Sequence, residues 1–356
     1  MANRSATIKD VAREAGVSIA TVSRVLNRLG NVNGKTSEKV MVAVLKLNYQ
    51  SNQIARSLKT NTTKLIGFIT PEVDNLFFMQ IFHNLEIELA PYGYSIILCS
   101  SDNSVEEEAK RFSMLLERNV DGIIFVPATN DCSSLKPLMR EDVPVVMVDR
   151  YASGLDVDMV LSNNLSGAYQ LTKALILEGH VRIGFIGGNP HLNNAMQRFE
   201  GYRKAMIEAG LAIDESFVCM EGTSQEAGFA MMSKLMHKEN RPNAFVLEND
   251  STHLGASAYL MGEVPYEQRK NIVFASYDFL YYAPLLTFCH YAMGQPLDFV
   301  GISAARLMVN RLKFNKDAEP RKIVLEPRMK VMVAHGGILT DPINQDAIEP
   351  AINKLH

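Results

Sequence analysis

The chain predicts an α/β protein: a three-helix head, then a two-lobed body of parallel, doubly wound sheets. Three observations lead there. Residues 7–27 read as two short helices joined by a glycine turn, which is a helix-turn-helix. From Lys64 onward, apolar strands alternate with amphipathic helices, the rhythm of a parallel sheet. After Asn163 that alternation starts again, so two such sheets are expected.

In the head, Ile8, Val11, Ala12 and Ala15 recur at helical spacing. Thr7 caps that helix with Asp10 three residues on, and Gly16 supplies a turn residue that tolerates positive φ. Ser18 caps the second helix, in which Val22, Val25 and Leu26 form one apolar face. Ile19, Ala20, Thr21, Ser23 and Arg24 are left for the other faces. A third helix runs from Ser37 to Leu47. A helix-turn-helix offers the first turn of its second helix to the major groove, so double-stranded DNA is the expected partner. Arg24 can donate a bidentate pair to guanine, whereas Ile19 and Ala20 can only touch a thymine methyl or exclude bulk. Ser18, Thr21, Ser23 and Asn27 suit phosphates, or simple capping and solvation.

Charge supports that division. Residues 1–64 hold eleven Lys/Arg against three acids, while the whole chain of 356 residues has a formal charge of −3. A basic head on an acidic body is what local phosphate neutralisation requires.

At Ile8-Lys9-Asp10-Val11-Ala12 and Gly16-Val17-Ser18 through Thr21-Val22-Ser23-Arg24-Val25-Leu26-Asn27, the chain resembles the LacI/GalR family of bacterial transcription regulators. The likeness continues through Asn48 to Leu58, which is similar to the hinge helix of that family, with Ser51 where members commonly carry proline, and it runs on to about Val333. The resemblance implies a periplasmic-binding-protein-like body, operator choice through Ile19 and Ala20, and a second DNA element comprising Asn52, Ala55, Arg56 and Leu58. There Leu58, paired with its mate across a homodimer, would wedge into the minor groove. So short a helix is marginal alone and would form fully only on DNA, which makes it a switch. The implied division is 1–50 for the DNA-binding domain, 51–62 for the hinge, and 63–356 for the effector-binding and dimerisation domain. Lobe 1 takes about 63–161 and 292–325, and lobe 2 about 162–291 and 326–356, with crossings near Ser162, Tyr291 and Leu325.

Within the body, strands are expected at Leu65–Thr70, Tyr94–Cys99, Gly122–Val126 and Val143–Asp149, with helices at Phe77–Ala90 and Val105–Arg118 between them. The second series has helices Leu165–Glu178, Phe199–Ala209 and Gln225–Met236, and strands Arg182–Ile186, Ala244–Leu247 and Ile272–Ser276, with a short one near Phe217. Ligands of such sheets bind at the carboxyl ends of strands. Asp149-Arg150, Asn249-Asp250 and Asp278 sit there, and carboxylate and guanidinium groups match vicinal hydroxyls. The resemblance adds Phe77, Phe78 and Arg198 as ligand contacts, with Phe77 and Phe78 equally readable as core residues at a helix start, and Thr223 where several members carry a stacking aromatic. The smallness of Thr223 favours a sugar or sugar acid over a purine. Between Pro284 and Gln295 the segment is a few residues longer than the family pattern, and the extra residues around His290–Gly294 would alter the cleft wall.

The rest of the sequence excludes other classes. There is no H-E-x-x-H pair and no G-x-S-x-G elbow, and Gly184-Phe185-Ile186-Gly187-Gly188 lacks the spacing of a nucleotide loop, so neither an enzyme nor a cofactor is expected. Cys99, Cys132, Cys219 and Cys289 are far apart and read as reduced core thiols of a cytoplasmic protein. With no leader and no membrane-length apolar run, a secreted solute-binding protein is disfavoured. The expected function is a repressor of carbohydrate-utilisation genes, released from a palindromic operator by its effector. The alternatives are a purine or other metabolite co-repressor system, or control by a protein partner. The tail holds Pro342 and Pro350 and no leucine heptads, so a dimer is expected.

Overall fold

A computed structural model describes residues 6–26, 32–49, 62–278, 288–315 and 319–332. The chain divides into two compact units, residues 1–63 and 64–356. Asn27, Asn52, Ala55, Arg56 and Leu58 lie outside the described residues, as do the hinge and the tail beyond Met332.

The first unit contains α1 (Ile8–Ala15), α2 (Ile19–Leu26) and α3 (Gly34–Lys46). Val11, Ala12, Val22, Val40 and Ala43 form its core. The Thr7–Asp10 capping box is present, and Gly16 ends α1 in the left-handed region at φ 66. The third helix begins three residues before Ser37, because the Asn33 side chain accepts the Lys35 N–H at 3.0 Å and starts the helix within a polar stretch.

The second unit holds two six-stranded sheets. Its first half comprises β1 (Leu65–Thr70), α4 (Leu76–Leu89), β2 (Ser95–Ser100), α5 (Val105–Glu117), β3 (Gly122–Phe125), β4 (Val145–Asp149) and β5 (Asp158–Ser162). The chain then crosses to α6 (Asn164–Leu177), β6 (Ile183–Gly187), α7 (Asn193–Glu208), β7 (Val218–Met220), α8 (Gln225–Met236) and β8 (Ala244–Leu247). It continues through α9 (Asp250–Glu263), α10 (Tyr266–Arg269), β9 (Val273–Tyr277) and β10 (Cys289–Gly294). Last come α11 (Leu297–Lys313), β11 (Lys322–Leu325) and β12 (Arg328–Val331). The sheet orders are β11-β5-β4-β3-β1-β2 and β12-β10-β9-β8-β6-β7, so the two halves repeat one winding. Every pairing is parallel except that of β10 with β12.

The crossings near Ser162 and Leu325 fall where expected, since β5 and β11 belong to the first sheet and β12 to the second. The crossing expected near Tyr291 does not. Strand β10 stays in the second sheet as far as Gly294, and α11 then packs Leu297, Val300 and Met308 into the core of the first. His290–Gly294 is therefore regular strand rather than cleft wall. One extra residue is absorbed at His290, where the β9–β10 register slips between Cys289 and Tyr291 as a bulge. The returning helix is fixed by Arg311, whose Nε and Nη2 donate to the two oxygens of buried Asp158 at 2.8 and 3.0 Å. Helices α8 and α9 meet so closely that a side chain on Gly255 would strike the backbone of Gln225. All four cysteines are free and buried.

Glu108 on α5 is buried, with one oxygen accepting the Ala128 N–H at 2.8 Å and the other accepting no hydrogen bond among the described residues. Burial pushes its carboxyl up to about 7. The folded state therefore holds a proton that the unfolded chain releases, and the associated stability is lost as pH rises from the ordinary carboxylate range through 7. The unfolding free energy of Glu108→Gln relative to wild type should accordingly grow over that range by about 2 to 3 kcal/mol and then level off, as read by urea titration.

Candidate functional site

In the first unit, Thr7 is spent within its capping box: its hydroxyl donates to the Asp10 carboxylate at 2.6 Å. Ser18 Oγ accepts the Thr21 N–H at 3.1 Å, and the two hydroxyls lie 2.9 Å apart. These hydroxyls thus shape the start of α2. Ile19 is 45% exposed, and Ala20 and Arg24 are exposed too, while Val22 on the opposite face is buried. Apolar side chains held in water on the first turn of a short helix, with an arginine one turn further on, form a surface that fits a groove.

In the second unit, one cleft gathers residues from both halves. From the first come Glu72, Asn75, Phe77, Phe78, Asp149 and Arg150. The second contributes Arg198, Thr223, Glu248, Asn249, Asp250 and Asp278, with Leu192 and Asn194 beside them. The strands explain this convergence. The loops after β1, β4, β6, β7, β8 and β9 each deliver at least one of these side chains from the carboxyl end of a parallel strand. All eight ligand candidates of the sequence reading line the cleft. The segment His290–Gly294 does not contribute to it.

Local caps place several of these groups. Asn75 begins α4 by accepting the Phe77 N–H at 3.0 Å, and its amide donates to Glu72. Phe77 and Phe78 meet edge to face with centroids 5.1 Å apart and are buried members of the core of the first sheet that also reach the cleft. Asn249 begins α9 through the Thr252 N–H at 2.7 Å, and its amide donates to the Thr223 carbonyl at 3.2 Å. Asp149 ends β4 and Asp278 follows β9, each with a left-handed backbone, φ 65 and 66. Carboxylate side chains tolerate that conformation, which turns each one sharply out of its strand.

The electrostatics centre on Arg198, which is 3% exposed. Its Nε donates to Asn164 at 2.9 Å and its Nη1 to the Glu248 carbonyl at 2.8 Å, and its guanidinium lies 4.0 Å from the Tyr277 ring centroid. Asp278 and Glu248 carboxylates stand 3.6 and 3.9 Å from Nη1. Gln295 donates to Asp278 at 2.6 Å. Burial still outweighs these partners and pushes Asp278 up to about 7, and it also raises Glu248 and Asp149 above the carboxylate range. Arg150 donates to Asn103 at 2.9 Å and to the Pro127 carbonyl at 3.1 Å.

Sequence reading missed Glu72, Asn75, Leu192, Asn194 and Glu248. For Glu248 a signal existed: an acid directly after the apolar run Ala244–Leu247 occupies the same kind of strand end as Asn249. Asn75, a capping residue before an apolar helix, was legible in the same way. Removing Arg198 would leave Asp278 and Glu248 buried without their cation. Arg198→Ala should therefore cost about 3 to 5 kcal/mol of stability at high pH, and less near about pH 6, where Asp278 carries its proton; urea unfolding at the two pH values checks this.

Among the described residues no three His, Cys, Asp or Glu side chains form a group able to hold a metal, and no helix is long and apolar enough to cross a membrane. A family model described as "Bacterial regulatory proteins, lacI family" matches residues 7–52, and one described as "Periplasmic binding proteins and sugar binding domain of LacI family" matches residues 63–329. The chain is 35% identical over 332 residues to the HTH-type transcriptional repressor PurR of Histophilus somni (strain 2336), covering 92% of this chain and 98% of that one. It is 36% identical over 325 residues to PurR of Pasteurella multocida (strain Pm70), covering 90% and 95%. The solved Lac repressor dimer bound to operator and the anti-inducer ONPF superposes with a TM-score of 0.80 at 22% identity, over 93% of this chain and all of that one, a likeness of fold. A transcriptional regulator CelR–cellobiose complex superposes with a TM-score of 0.67 at 26% identity, over 92% and 98%. The helix-turn-helix, the twin parallel sheets and these matches together make the chain a member of the LacI family of bacterial transcription regulators.

Proposed function

We propose that this LacI-family DNA-binding repressor acts as a homodimer on a palindromic operator, and that a purine-type base in the cleft of the second unit serves as its co-repressor. The observation that carries the ligand reading is that the Phe77–Phe78 pair lines the cleft together with acceptor groups that suit the N–H edges of a heteroaromatic ring. The relatives named PurR, similar over nine-tenths of the chain, support it. The sugar or sugar acid favoured by the small Thr223 is the second reading, supported by the likeness to the CelR–cellobiose complex. Thr223 leaves the far side of the cleft without a stacking ring, so Phe77 and Phe78 would carry the aromatic contact alone.

On DNA, Arg24 would read guanine, Ile19 and Ala20 would set the shape of the neighbouring steps, and Ser18, Thr21 and Ser23 would approach phosphates. Asn27 and the hinge residues Asn52, Ala55, Arg56 and Leu58 would complete the operator contact, with Leu58 in the minor groove. A ligand can strengthen operator binding only as far as it prefers the DNA-competent arrangement of the body.

Calorimetric unfolding of the full chain with adenine, guanine and hypoxanthine against a panel of sugars and sugar acids tests the effector. A ligand at about a hundredfold over its dissociation constant adds roughly 2.7 kcal/mol, a shift of several degrees. A purine shift accompanied by tighter operator binding is the expected result, and a shift with sugars alone would replace the purine. Arg24→Ala should weaken operator binding by about 1 to 3 kcal/mol and relax its base preference while leaving the ligand shift intact. Equal loss on random DNA would remove Arg24 from base reading. Asp278→Asn should retain operator binding without ligand and lose the ligand response, as read by fluorescence anisotropy on labelled operator.

A further inference from the structure

Carboxyl groups outnumber cations in the cleft. It is lined by five carboxyl groups, from Glu72, Asp149, Glu248, Asp250 and Asp278, and by two guanidinium groups. Both guanidiniums already face groups of the protein, although the buried Arg150 Nε makes no hydrogen bond among the described residues and stands 3.9 Å from an Asp149 carboxylate oxygen. Arg198 is already shared among Asn164, the Glu248 carbonyl and two carboxylates, and Arg150 donates to Asn103 and Pro127 within the first half of the body. Separately, Asp149 is 95% buried, and its Oδ1 accepts no hydrogen bond among the described residues although the residue lines the cleft. A buried oxygen left in that state calls for a donor from a ligand.

We infer that the cleft selects by charge: its effector is neutral or positively charged and presents N–H or O–H donors, and phosphorylated or carboxylated forms of the same molecule are rejected. This rests on the reading above that the cleft holds the effector, and it narrows that reading to bases, nucleosides, polyols and amines as against nucleotides, sugar phosphates and sugar acids. Carboxyl groups outnumber guanidiniums five to two in this desolvated space, and burial already drives Asp278, Glu248 and Asp149 toward their protonated forms, so the site opposes one more anion. The elevated Asp278, Glu248 and Asp149 carboxyls show that the site already resists its own negative charge. A donor-rich or cationic ligand relieves that resistance, whereas an anion adds to it. Glu248 is the specificity-determining residue of the set. It lies 3% exposed beneath the cleft, with one oxygen accepting the Gly188 N–H, so it cannot swing aside.

The test is calorimetric unfolding of the full chain near neutral pH, with matched probes at millimolar concentration. One series is adenine, adenosine and adenosine monophosphate. The other is glucose, glucosamine, gluconate and glucose 6-phosphate. Within whichever series raises the transition, the neutral or amine-bearing member should bind at least about tenfold more tightly than its anionic counterpart. In Glu248→Gln that gap should narrow. Glu72→Gln, a half-buried position, provides a second variant should the first fail to fold. An anion that binds as well as its neutral parent overturns charge selection, and if that anion is the nucleotide the purine reading survives. A neutral sugar or glucosamine as the sole binder supports charge selection and removes the purine. No shift with any probe overturns both.

Discussion

The parallel direction of the strands is the constraint on which the rest of the body depends. A parallel strand must be reached by a crossover, and each crossover returns the chain to the same edge of its sheet. Every loop at the carboxyl edge is therefore a neighbour of every other. Glu72, Asp149, Thr223, Glu248 and Asp278 are distant in sequence, yet each leaves the carboxyl edge of its sheet and they share one cleft. Among the described residues antiparallel pairing appears only at the outer edge of the second sheet, where β12 lies against β10 and contributes nothing to the cleft.

The buried charges follow from that convergence. Strand ends that meet in a narrow cleft bring their side chains out of water, and a carboxylate out of water requires a cation, a donor or a proton. Arg198 supplies the cation, Gln295 and the Gly188 N–H are donors, and the raised carboxyl of Asp278 accepts the proton. The guanidinium in turn rests on the Tyr277 ring and on Asn164, so the second half of the body has organised one arginine around several acids before any ligand arrives. Such preorganisation reduces the reorganisation needed on binding.

Much of this architecture was legible in the sequence, and the exceptions have physical causes. Buried strands such as Leu65–Thr70 and Ala244–Leu247 are continuous apolar runs bounded by polar residues, and both match to the residue. Strands β11 and β12 escaped because they are short and largely exposed, so no apolar run marks them. Helix α7 begins at Asn193, six residues before the expected Phe199, because its first turn opens on two asparagines, one of them at the cleft, and carries no large buried apolar side chain to mark it. Helix α9 is buried on most sides, with Gly255, Ala256 and Ser257 allowing close approach, and so lacks the one-sided pattern that announces a helix. In the cleft, the strand-end rule located Asp149, Asn249 and Asp278 but not Glu248, one residue nearer the strand. How many consecutive residues at a strand end reach the cleft depends on the backbone angles there, and a linear pattern does not encode them.

The left-handed backbone at Asp149 and Asp278 has a consequence for how such a protein can change. Aspartate, asparagine and glycine tolerate that conformation, while β-branched or bulky residues would strain it. Aspartate and asparagine codons differ by a single base. The charge of the cleft can therefore be altered one unit at a time, by single-step substitutions that leave each turn in place.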